Sequence, residues 1–525
     1  MERRGDARRR GAALACVAAL LCIICGAAAG AAPPPPRFPP PYAVVAFHYL
    51  WYGEPATDGR YLHWDHELIP HWKAGQRDKW PTGKKFTPPG SVHSPFYPQH
   101  GPYSSRDPLL IQRQVEQLLA AGIGTIAASW WGPAWRTNTT DTQGVSTDKA
   151  LGQLIAHLEA AAPPLLPESG ASNSSSNGTS SSSSGGGAEG GSAAAAPPSS
   201  AAPSSVRLAF HLEPYPGRTT ASVREDLADL TGRFGRSGAL LRLEPGGRPV
   251  YFVYDSYRIP AAEWAELLTP GGASTVRGTD LDGIFLGLVL SFKDTADIEA
   301  GGFDGFYTYF ASEAVSPASN PSSWRGLGEW AAANGKLFVP SVGPGYNDTK
   351  IRPWNAVATR DRDGGARYTR NWDAAAAAAP DAVSIVSWNE WGEGSQIEPA
   401  EPAADPATGE ASLDYGPGGP RLYLELTAAA SASFRTGLAL RQSEAGAQQS
   451  GAERRRPASA AQRAAAAAAA VAAAGAAAGG ELAAAAAGGG EGAGEEGEAG
   501  ESEDEETCPA GEEDDSGEER GREEL

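Results

Sequence analysis

The stretch AVSIVSWNEWGEGSQIE (382–398) joins a short apolar segment, 382–388, to a segment rich in carboxylates and tryptophan. Its apolar part is nearly continuous rather than alternating, as is typical of a parallel strand covered on both faces. Seven further segments share this pattern: 43–51, 125–131, 206–213, 249–255, 282–289, 303–310 and 336–342. Helical patterns intervene, for example at 107–121 and 146–162. Eight strand–helix units predict an α/β fold, a single (β/α)8 TIM barrel.

The charge of the chain is unevenly distributed. Its 525 residues contain 63 acidic and 43 basic side chains, but residues 481–525 hold 18 of the acidic ones and only two arginines. The remainder is nearly neutral, which argues against a basic groove, so no nucleic-acid partner is predicted. All 14 Trp and 16 Tyr lie between Tyr42 and Tyr423, and all four Cys lie outside that region. A disulfide framework and a cysteine zinc site are therefore excluded there.

The flanks of this aromatic-rich region differ from it in composition. The arginine-rich start of the chain precedes an uncharged segment that is either a signal anchor or a cleaved signal peptide. Both alternatives place the following chain in the lumen or outside the cell, where the sequons at Asn138, Asn173, Asn177 and Asn347 are candidate glycan acceptors. The predicted order is a cytosolic tail 1–10, the anchor or signal peptide 11–32, a Pro-rich linker 33–41, the barrel domain 42–435 with a disordered low-complexity insertion 163–205, and a disordered Ala/Gly-rich and acidic tail 436–525.

Polar and aromatic side chains recur where the predicted strands end. Barrel proteins of this kind place their reactive groups at the carboxyl ends of the strands. Aromatic faces interleaved with carboxylates suit sugars, whose C–H faces stack on rings while their hydroxyls form hydrogen bonds to polar groups. Glu390 and Glu393 follow the eighth strand, and Glu213 ends the third. Hydrolysis of a glycosidic bond commonly needs one acid and one base or nucleophile. Glu390 and Glu393 are the predicted pair, and Glu213 is a third candidate.

Two groups of polar residues have alternative interpretations. The carboxylates after the eighth strand could form surface salt bridges or cap a helix, but the flanking tryptophans and the position at a strand end favour catalysis. His63 and His66 flank Asp65, with His71 following, and form a candidate metal cluster. The Trp-rich loop around them favours hydrogen bonding within the loop or to a sugar hydroxyl. We therefore predict neither a metal nor a cofactor.

Eight blocks of the sequence together resemble a known enzyme family. They are FHYLWYGEPATDGRYLHWDH (47–66), FYPQHGPYSSRDP (96–108), AFHLEPY (209–215), YFVYDSY (251–257), GFDGFYTYFA (302–311), FVPSVGPGYNDTKIRPWN (338–355), SWNEWGEGSQIE (387–398) and LYLEL (422–426). From about Ala43 to Leu426, apart from the insertion, the chain resembles the glycoprotein endo-α-1,2-mannosidases. The resemblance implies a (β/α)8 barrel without a metal, and a Golgi location behind an amino-terminal membrane anchor. It also implies cleavage of an internal α-1,2-mannosidic bond in glucosylated high-mannose N-glycans of glycoproteins.

The resemblance further implies roles for individual residues. Glu390 looks like the base that takes the proton of the sugar 2-hydroxyl, so that this oxygen attacks the anomeric carbon and forms a 1,2-anhydro sugar. Glu393 looks like the acid that protonates the departing oxygen and then activates water, with overall retention of configuration. The candidate sugar-binding or polarising residues are Tyr52, His63, Trp131, Glu213, Tyr254, Tyr309, Arg352, Asn389 and Trp391.

Two positions depart from the pattern of that family. Gly392 stands where the family usually has His, and Trp131 stands where it usually has Tyr. Because Gly392 lies beside the predicted acid, contacts on the leaving-group side are expected to differ. The alternative functions are an endo-mannosidase that acts on another mannan-like glycan and a catalytically inactive glycan-binding barrel. Retention of both glutamates argues against the inactive barrel.

Overall fold

The structure, a computed structural model, describes residues 35–71, 73–161, 200–406 and 408–455. Contacts along the chain divide it into a unit Pro33–Glu444 and a second unit made of Met1–Ala32 and Ala445–Leu525. Of the second unit, the described residues 445–455 are helical. The predicted cytosolic tail, the anchor or signal segment, residues 163–199 of the insertion and the tail after 455 lie outside the described residues.

A parallel sheet forms the centre of the first unit. Its strands are β1 Val44–His48, β2 Thr125–Trp130, β3 Arg207–Leu212, β4 Arg242–Leu243, β5 Arg248–Val253, β6 Ile284–Leu288, β7 Gly305–Tyr307, β8 Leu337–Val339, β9 Ser341–Val342 and β10 Val383–Ile385. They pair in the order β8-β7-β6-β5-β3-β2-β1-β10-β9, and β4 pairs antiparallel with β5. All eight predicted strands are present.

The sheet closes on itself at Pro340. The two ends of the strand order, β8 and β9, are consecutive in the chain and only Pro340 separates them. Proline has no N–H to donate to a neighbouring strand, which explains why the predicted strand 336–342 is divided there. The predicted (β/α)8 barrel is therefore confirmed, with β8 and β9 together as its seventh strand.

Helices connect the barrel strands and cover the outside of the barrel. They are α1 Pro55–Asp58, α2 Pro108–Ala120, α3 Asp148–Ala161, α4 Thr220–Phe234, α5 Ala261–Leu268, α6 Thr295–Ala300, α7 Trp324–Ala333, α8 Ala366–Ala377 and α9 Leu422–Arg455. Short 3-10 helices lie at Pro40–Tyr42, Ala74–Lys79, Ser256–Arg258, Phe292–Asp294, Pro317–Ser319, Pro321–Ser323, Ala356–Ala358, Asp363–Gly365 and Gly416–Gly418. Asp107 caps α2 by accepting the N–H of Leu109, and Pro108 occupies the first turn, where a missing N–H has no cost.

Aromatic side chains fill the interior of the barrel. Phe47, Phe252 and Tyr307 come from strands that are not neighbours, yet their ring centroids lie 5.2–5.6 Å apart. Every residue of β1 and β2 is buried, because one face of each strand packs inside the barrel and the other packs under the helices. The continuous apolar pattern of the sequence has this physical cause.

The ends of the domain differ from the prediction. Helix α9 continues through 436–455, so the predicted disorder from residue 436 is wrong there. Leu438 is only 3% exposed, and Gln442 Nε2 donates a hydrogen bond of 2.9 Å to the carbonyl of Phe38. Phe38 itself is fully buried, although it lies in the predicted linker 33–41. Single apolar anchors in segments rich in Ala or Pro give a weak sequence signal, and the composition therefore concealed them.

The insertion and the amino-terminal segment are described only in part. Ser205, at the predicted end of the insertion, is buried, and its hydroxyl lies 3.4 Å from that of Tyr42. The chain therefore rejoins the barrel before residue 206. Among the described residues, no helix has both the length and the apolarity needed to cross a membrane. The segment 11–32 is not among them.

The buried part of α9 allows a matched test of the corrected boundary. Leu438→Ala should lower the melting temperature by several degrees, because burial of a leucine side chain contributes about 1.5–3 kcal/mol. Leu440→Ala, a change of the same size in the same helix, should have almost no effect, because Leu440 is 60% exposed. Differential scanning calorimetry of both variants provides the comparison. Equal melting temperatures would mean that the segment after 435 does not stabilise the barrel.

Candidate active site

The amide of Asn389 joins the segment after β10 to the segment after β1. Tyr49 N–H donates to Asn389 Oδ1 at 2.7 Å, and Asn389 Nδ2 donates to the carbonyl of Tyr49 at 2.9 Å. Strands β1 and β10 are neighbours in the barrel, so these two bonds connect adjacent strand ends. Asn389 is fully buried. Predicted to bind sugar, it lies instead in the framework of the site.

Tyr52 and Trp391, also predicted to bind sugar, lie beneath the same segment. The hydroxyl of Tyr52 donates to the carbonyl of Asn389 at 2.9 Å, and Trp391 Nε1 donates to the carboxylate of Glu398 at 3.0 Å. Tyr52 is 2% exposed and Trp391 is fully buried. Both side chains therefore support the segment from below and do not form its surface.

The predicted sugar-binding residue His63 is held by a residue of its own loop and by one of the loop after β2. Its Nδ1 lies 2.8 Å from Asp141 Oδ2, and its ring stacks on Trp51 with centroids 4.1 Å apart. His66 Nδ1 lies 2.6 Å from the carbonyl of Glu67. Across the described ranges, no group of three or more His, Cys, Asp or Glu side chains is arranged to hold a metal ion. Hydrogen bonds and ring stacking, one of them to the loop after β2, thus hold the two imidazoles.

Three carboxylates lie near enough to the hydroxyl of Tyr49 to act on it electrostatically. Burial raises the pKa of Tyr49 well above its ordinary value, and the charges of these carboxylates raise it further. They belong to Glu213, Glu390 and Glu393. The hydroxyls of Tyr49 and Tyr309 are hydrogen-bonded to each other. The structure thus brings the predicted carboxylates from β3 and β10 together at the carboxyl end of the barrel, with Tyr309 beside them.

Trp131 and Tyr254 lie along the same end of the barrel. Tyr254 packs edge-on against Tyr309, with ring centroids 4.7 Å apart. Trp131 follows β2, next to Glu213, whose N–H donates to the carbonyl of Trp130 at 3.0 Å. Trp131 is partly exposed, and among the described residues its indole N–H has no hydrogen-bond partner. That Trp131 forms a wall of the cleft stays a prediction.

Glu390 is held in a low-dielectric environment. It is 5% exposed, and burial raises its pKa well above the ordinary value. The charge of Glu393 raises this pKa further, whereas Arg352 and the backbone N–H of Gly392 lower it. In the free site Glu390 therefore tends to keep its proton.

Glu393 lies nearer to solvent and next to a cation. Its side chain is 21% exposed, and its Oε1 accepts a hydrogen bond of 3.2 Å from Arg352 Nη1. Burial raises the pKa of Glu393, and the guanidinium of Arg352 opposes this effect. The contact favours ionised Glu393, so the free site holds two carboxyl groups of different character.

Tyr346 and Asp348 were not among the predicted site residues, yet they position Arg352. Asp348 is fully buried, and its Oδ2 accepts hydrogen bonds from Arg352 Nη1 at 3.1 Å and from the hydroxyl of Tyr346 at 3.0 Å. Asn355 Nδ2 donates to the same oxygen at 2.8 Å. Both missed residues follow the predicted strand 336–342. Their position after a strand indicates that they lie near the active site, but it does not show which polar residues of the loop contact the catalytic pair.

Glu398 is a third missed residue, and it is buried at the end of the catalytic segment. Its Oε1 accepts a hydrogen bond from Gln114 Nε2 at 2.7 Å. Its Oε2 accepts one from the hydroxyl of Tyr103 at 2.7 Å and one from Trp391 Nε1 at 3.0 Å. Tyr103 in turn accepts Asn389 Nδ2 at 3.2 Å. Burial raises the pKa of Glu398 to about 7, and the three donors oppose the rise. One buried carboxyl thus connects α2 to the segment that carries Glu390 and Glu393.

The raised pKa of Glu398 predicts a pH dependence of stability. The unfolded chain loses this proton near pH 4.5, whereas the folded chain keeps it until about pH 7, so the free energy of unfolding should fall as pH rises through that window. Glu398→Gln removes this contribution and should flatten the dependence. It should also lower the melting temperature, because an amide group would face three hydrogen-bond donors. Glu401→Gln, at an exposed neighbour, should keep the slope of the parent protein. Urea unfolding from pH 4.5 to 7.5 measures all three slopes, and identical slopes would contradict the assignment.

Comparison with known proteins places this site in a family. A model of glycosyl hydrolase family 99 matches residues 40–159 and 197–436. The chain is 39% identical over 389 residues to a glycoprotein endo-alpha-1,2-mannosidase-like protein of Danio rerio, covering 74% of this chain and 77% of that protein. It is 37% identical over 390 residues to the glycoprotein endo-alpha-1,2-mannosidase of Xenopus laevis, covering 74% and 76% of the two chains.

A solved structure agrees with the family model. The GH99 endo-alpha-mannosidase from Bacteroides thetaiotaomicron superposes with a TM-score of 0.61 at 33% sequence identity, covering 75% of this chain and 98% of that one. The gap between the matched ranges, 160–196, overlaps most of the low-complexity insertion 163–205. The resemblance noted from the sequence is confirmed: the chain is a glycoside hydrolase and belongs to glycosyl hydrolase family 99.

Proposed function

We propose that the protein is an endo-acting α-1,2-mannosidase that cleaves an internal mannosidic bond of glucosylated high-mannose N-glycans on glycoproteins. The observation that carries the proposal is the Glu390–Glu393 pair after β10, with Glu390 buried, Arg352 hydrogen-bonded to Glu393 and aromatic side chains nearby. The names of the matched relatives support an endo-mannosidase acting on glycoproteins. A barrel that only bound glycans would not need two carboxyl groups of different proton affinity in one cleft.

In the proposed reaction, configuration is retained through a 1,2-anhydro sugar. Glu390 takes the proton of the 2-hydroxyl, the 2-oxygen forms a bond to the anomeric carbon, and the bond to the leaving oxygen breaks as Glu393 protonates that oxygen. Glu393, now ionised, takes a proton from water, whose oxygen bonds to the anomeric carbon. The anhydro ring then opens, and the 2-oxygen recovers its proton from Glu390. Each carboxyl group ends the cycle as it began.

The electrostatics of the free site bear on these roles in two ways. A raised pKa makes ionised Glu390 a stronger base, which suits removal of a proton from a weakly acidic sugar hydroxyl. The same raised pKa favours protonated Glu390 before substrate binds, and Arg352 favours ionised Glu393. These directions support a reversed assignment, with Glu390 as acid and Glu393 as base. We retain the assignment implied by the family, and the experiment below separates the two.

The substrate is best identified by product analysis. The full chain should be incubated with glucosylated and with unglucosylated high-mannose glycans, and the released fragments identified by mass spectrometry. Release of a glucosylated mannose supports the proposal. Preferential cleavage of an unglucosylated mannan-like glycan would favour the alternative suggested by Gly392 and Trp131. Binding of both glycans without any released fragment would favour the inactive barrel.

The roles of the two glutamates predict different responses to the leaving group. Glu393→Gln should slow cleavage of a natural glycan by roughly 10²–10⁴, because protonation of the leaving oxygen is lost. An aryl glycoside with a good leaving group needs little protonation and should recover much of the bond-breaking rate. Glu390→Gln should remain slow on both substrates, because the base is missing in either case. Single-turnover kinetics on the two substrates distinguish the outcomes. Rescue at position 390 and not at 393 would establish the reversed assignment.

We also propose that the protein is a type II Golgi membrane protein with its barrel in the lumen. The arginine-rich residues 1–10 and the apolar segment 11–32 support this location. Carbonate extraction of membranes from expressing cells should leave the protein in the pellet. A soluble form that begins near residues 31–33 would show instead that the segment is a cleaved signal peptide and that the protein is secreted.

A further inference from the structure

His93 is a buried imidazole beside the catalytic segment without a role in the proposed reaction. It is fully buried, and among the described residues neither of its ring nitrogens makes a hydrogen bond of normal geometry. Burial, together with the neighbouring His63 and His66, lowers the pKa of His93 well below its ordinary value, while the backbone of Trp64 opposes part of this effect. The ring is therefore neutral, and its burial without a hydrogen bond of normal geometry has a cost that some other interaction must offset.

The space occupied by His93 is the space that a side chain at position 392 would need. A Cβ atom on Gly392 would lie 2.9 Å from His93 Cδ2 and 3.2 Å from His93 Nε2. Non-bonded carbon atoms do not approach this closely without movement of one of them. The ring of His93 is enclosed by His63, Trp64 and His66, with centroids 5.3–5.7 Å away, so it has little room to move. Positions 93 and 392 therefore compete for one space.

Gly392 also contacts the predicted base through its backbone. It stands between the two glutamates, and its N–H lowers the pKa of Glu390 by interacting with the carboxylate. The next residue, Glu393, is held by a backbone hydrogen bond: Asn347 N–H donates to the carbonyl of Glu393 at 2.7 Å. The contact with His93 restrains Gly392 itself. A shift of this residue would move the N–H away from the Glu390 carboxylate.

We infer that His93 is a positioning residue: its ring packs against Gly392 in place of a side chain there and holds the backbone between Glu390 and Glu393 in place. The role requires neither contact with the sugar nor a charge on the ring. The glycine at position 392 is then a consequence of the histidine at position 93, and the departure noted in the sequence has a spatial explanation. For its catalytic consequence, the inference rests on the proposed function.

A double-mutant cycle on the full chain tests the shared space. Gly392→Ala alone should lower the melting temperature by several degrees, because its Cβ meets the His93 ring. In a His93→Ala background the same change should have a much smaller effect, because only the flexible end of Ile351, 3.2 Å from the new Cβ, remains close to it. His100→Ala, at an exposed histidine near the same loop, is the matched control and should leave the effect of Gly392→Ala unchanged. If Gly392→Ala yields no folded protein, folded protein from the double variant supports the inference, and failure of both overturns it.

A second measurement separates positioning from mere packing and does not depend on turnover. Difference infrared titration, with Glu390→Gln as the reference, reports the ionisation of the Glu390 carboxyl without substrate. His93→Ala should shift that titration to higher pH, because the Gly392 N–H no longer favours the charged form. In the kinetic assay it should lower kcat about tenfold or more, with KM within a factor of two or three.

The outcomes are distinct. Equal effects of Gly392→Ala in the parent and His93→Ala backgrounds would overturn the shared space. If the double-mutant cycle shows the expected coupling of the melting temperatures but His93→Ala does not shift the Glu390 titration, the positioning role is wrong. Absence of mannosidase turnover in the parent protein would count against the proposed function and would leave the melting and infrared results to decide the role of His93.

Discussion

Two hydrogen bonds join the side-chain amide of Asn389 to the backbone N–H and C=O of Tyr49. They connect the last barrel strand to the first, at the end of the barrel where the carboxylates lie. The amide supplies one donor and one acceptor, which match the peptide of a neighbouring strand end. A carboxylate or an alkyl side chain could not make both bonds. The positions of Tyr49 in the cleft and of Glu390, one residue after Asn389, both depend on this pair of bonds.

The support beneath this connection continues through polar side chains that water does not reach. The buried carboxyl of Glu398 accepts hydrogen bonds from Gln114, Tyr103 and Trp391, and the hydroxyl of Tyr52 holds the carbonyl of Asn389. In a low-dielectric interior such bonds are strong and a missing partner is costly, so a network of this kind restricts the segment to one arrangement. That restriction is what two carboxyl groups need if they are to keep different proton affinities.

The pKa values of the two glutamates in the cleft are raised by burial and lowered by the guanidinium of Arg352. Burial raises the pKa values of both Glu390 and Glu393, and Arg352 offsets the rise mainly at Glu393, with which it forms a direct hydrogen bond. Asp348, Tyr346 and Asn355 hold Arg352 in that position. The difference in proton affinity between Glu390 and Glu393 therefore depends on residues of the loop that follows β9, outside the segment that contains the two glutamates.

The sequence by itself determined the barrel, the order of its strands and the segments that form the cleft. Near-continuous apolar runs can be satisfied only by strands buried on both faces, and the carboxyl ends of such strands meet at one end of the barrel. It also indicated Glu213, Glu390 and Glu393, because charged groups after buried strands are rare without a role, whereas Arg352 was indicated only by the resemblance to the family.

Only the tertiary structure decided which aromatic and amide side chains face the cleft and which support it. Asn389, Trp391 and Tyr52 have the composition of sugar-binding residues, yet they are buried in the framework. Residue type shows what a side chain can bind, whereas its partners depend on contacts between segments far apart in the chain. Glu398 with Gln114, His93 with Gly392 and Leu438 in the last helix are such contacts. No local pattern encodes them, because each depends on how the closed barrel brings its loops and helices together.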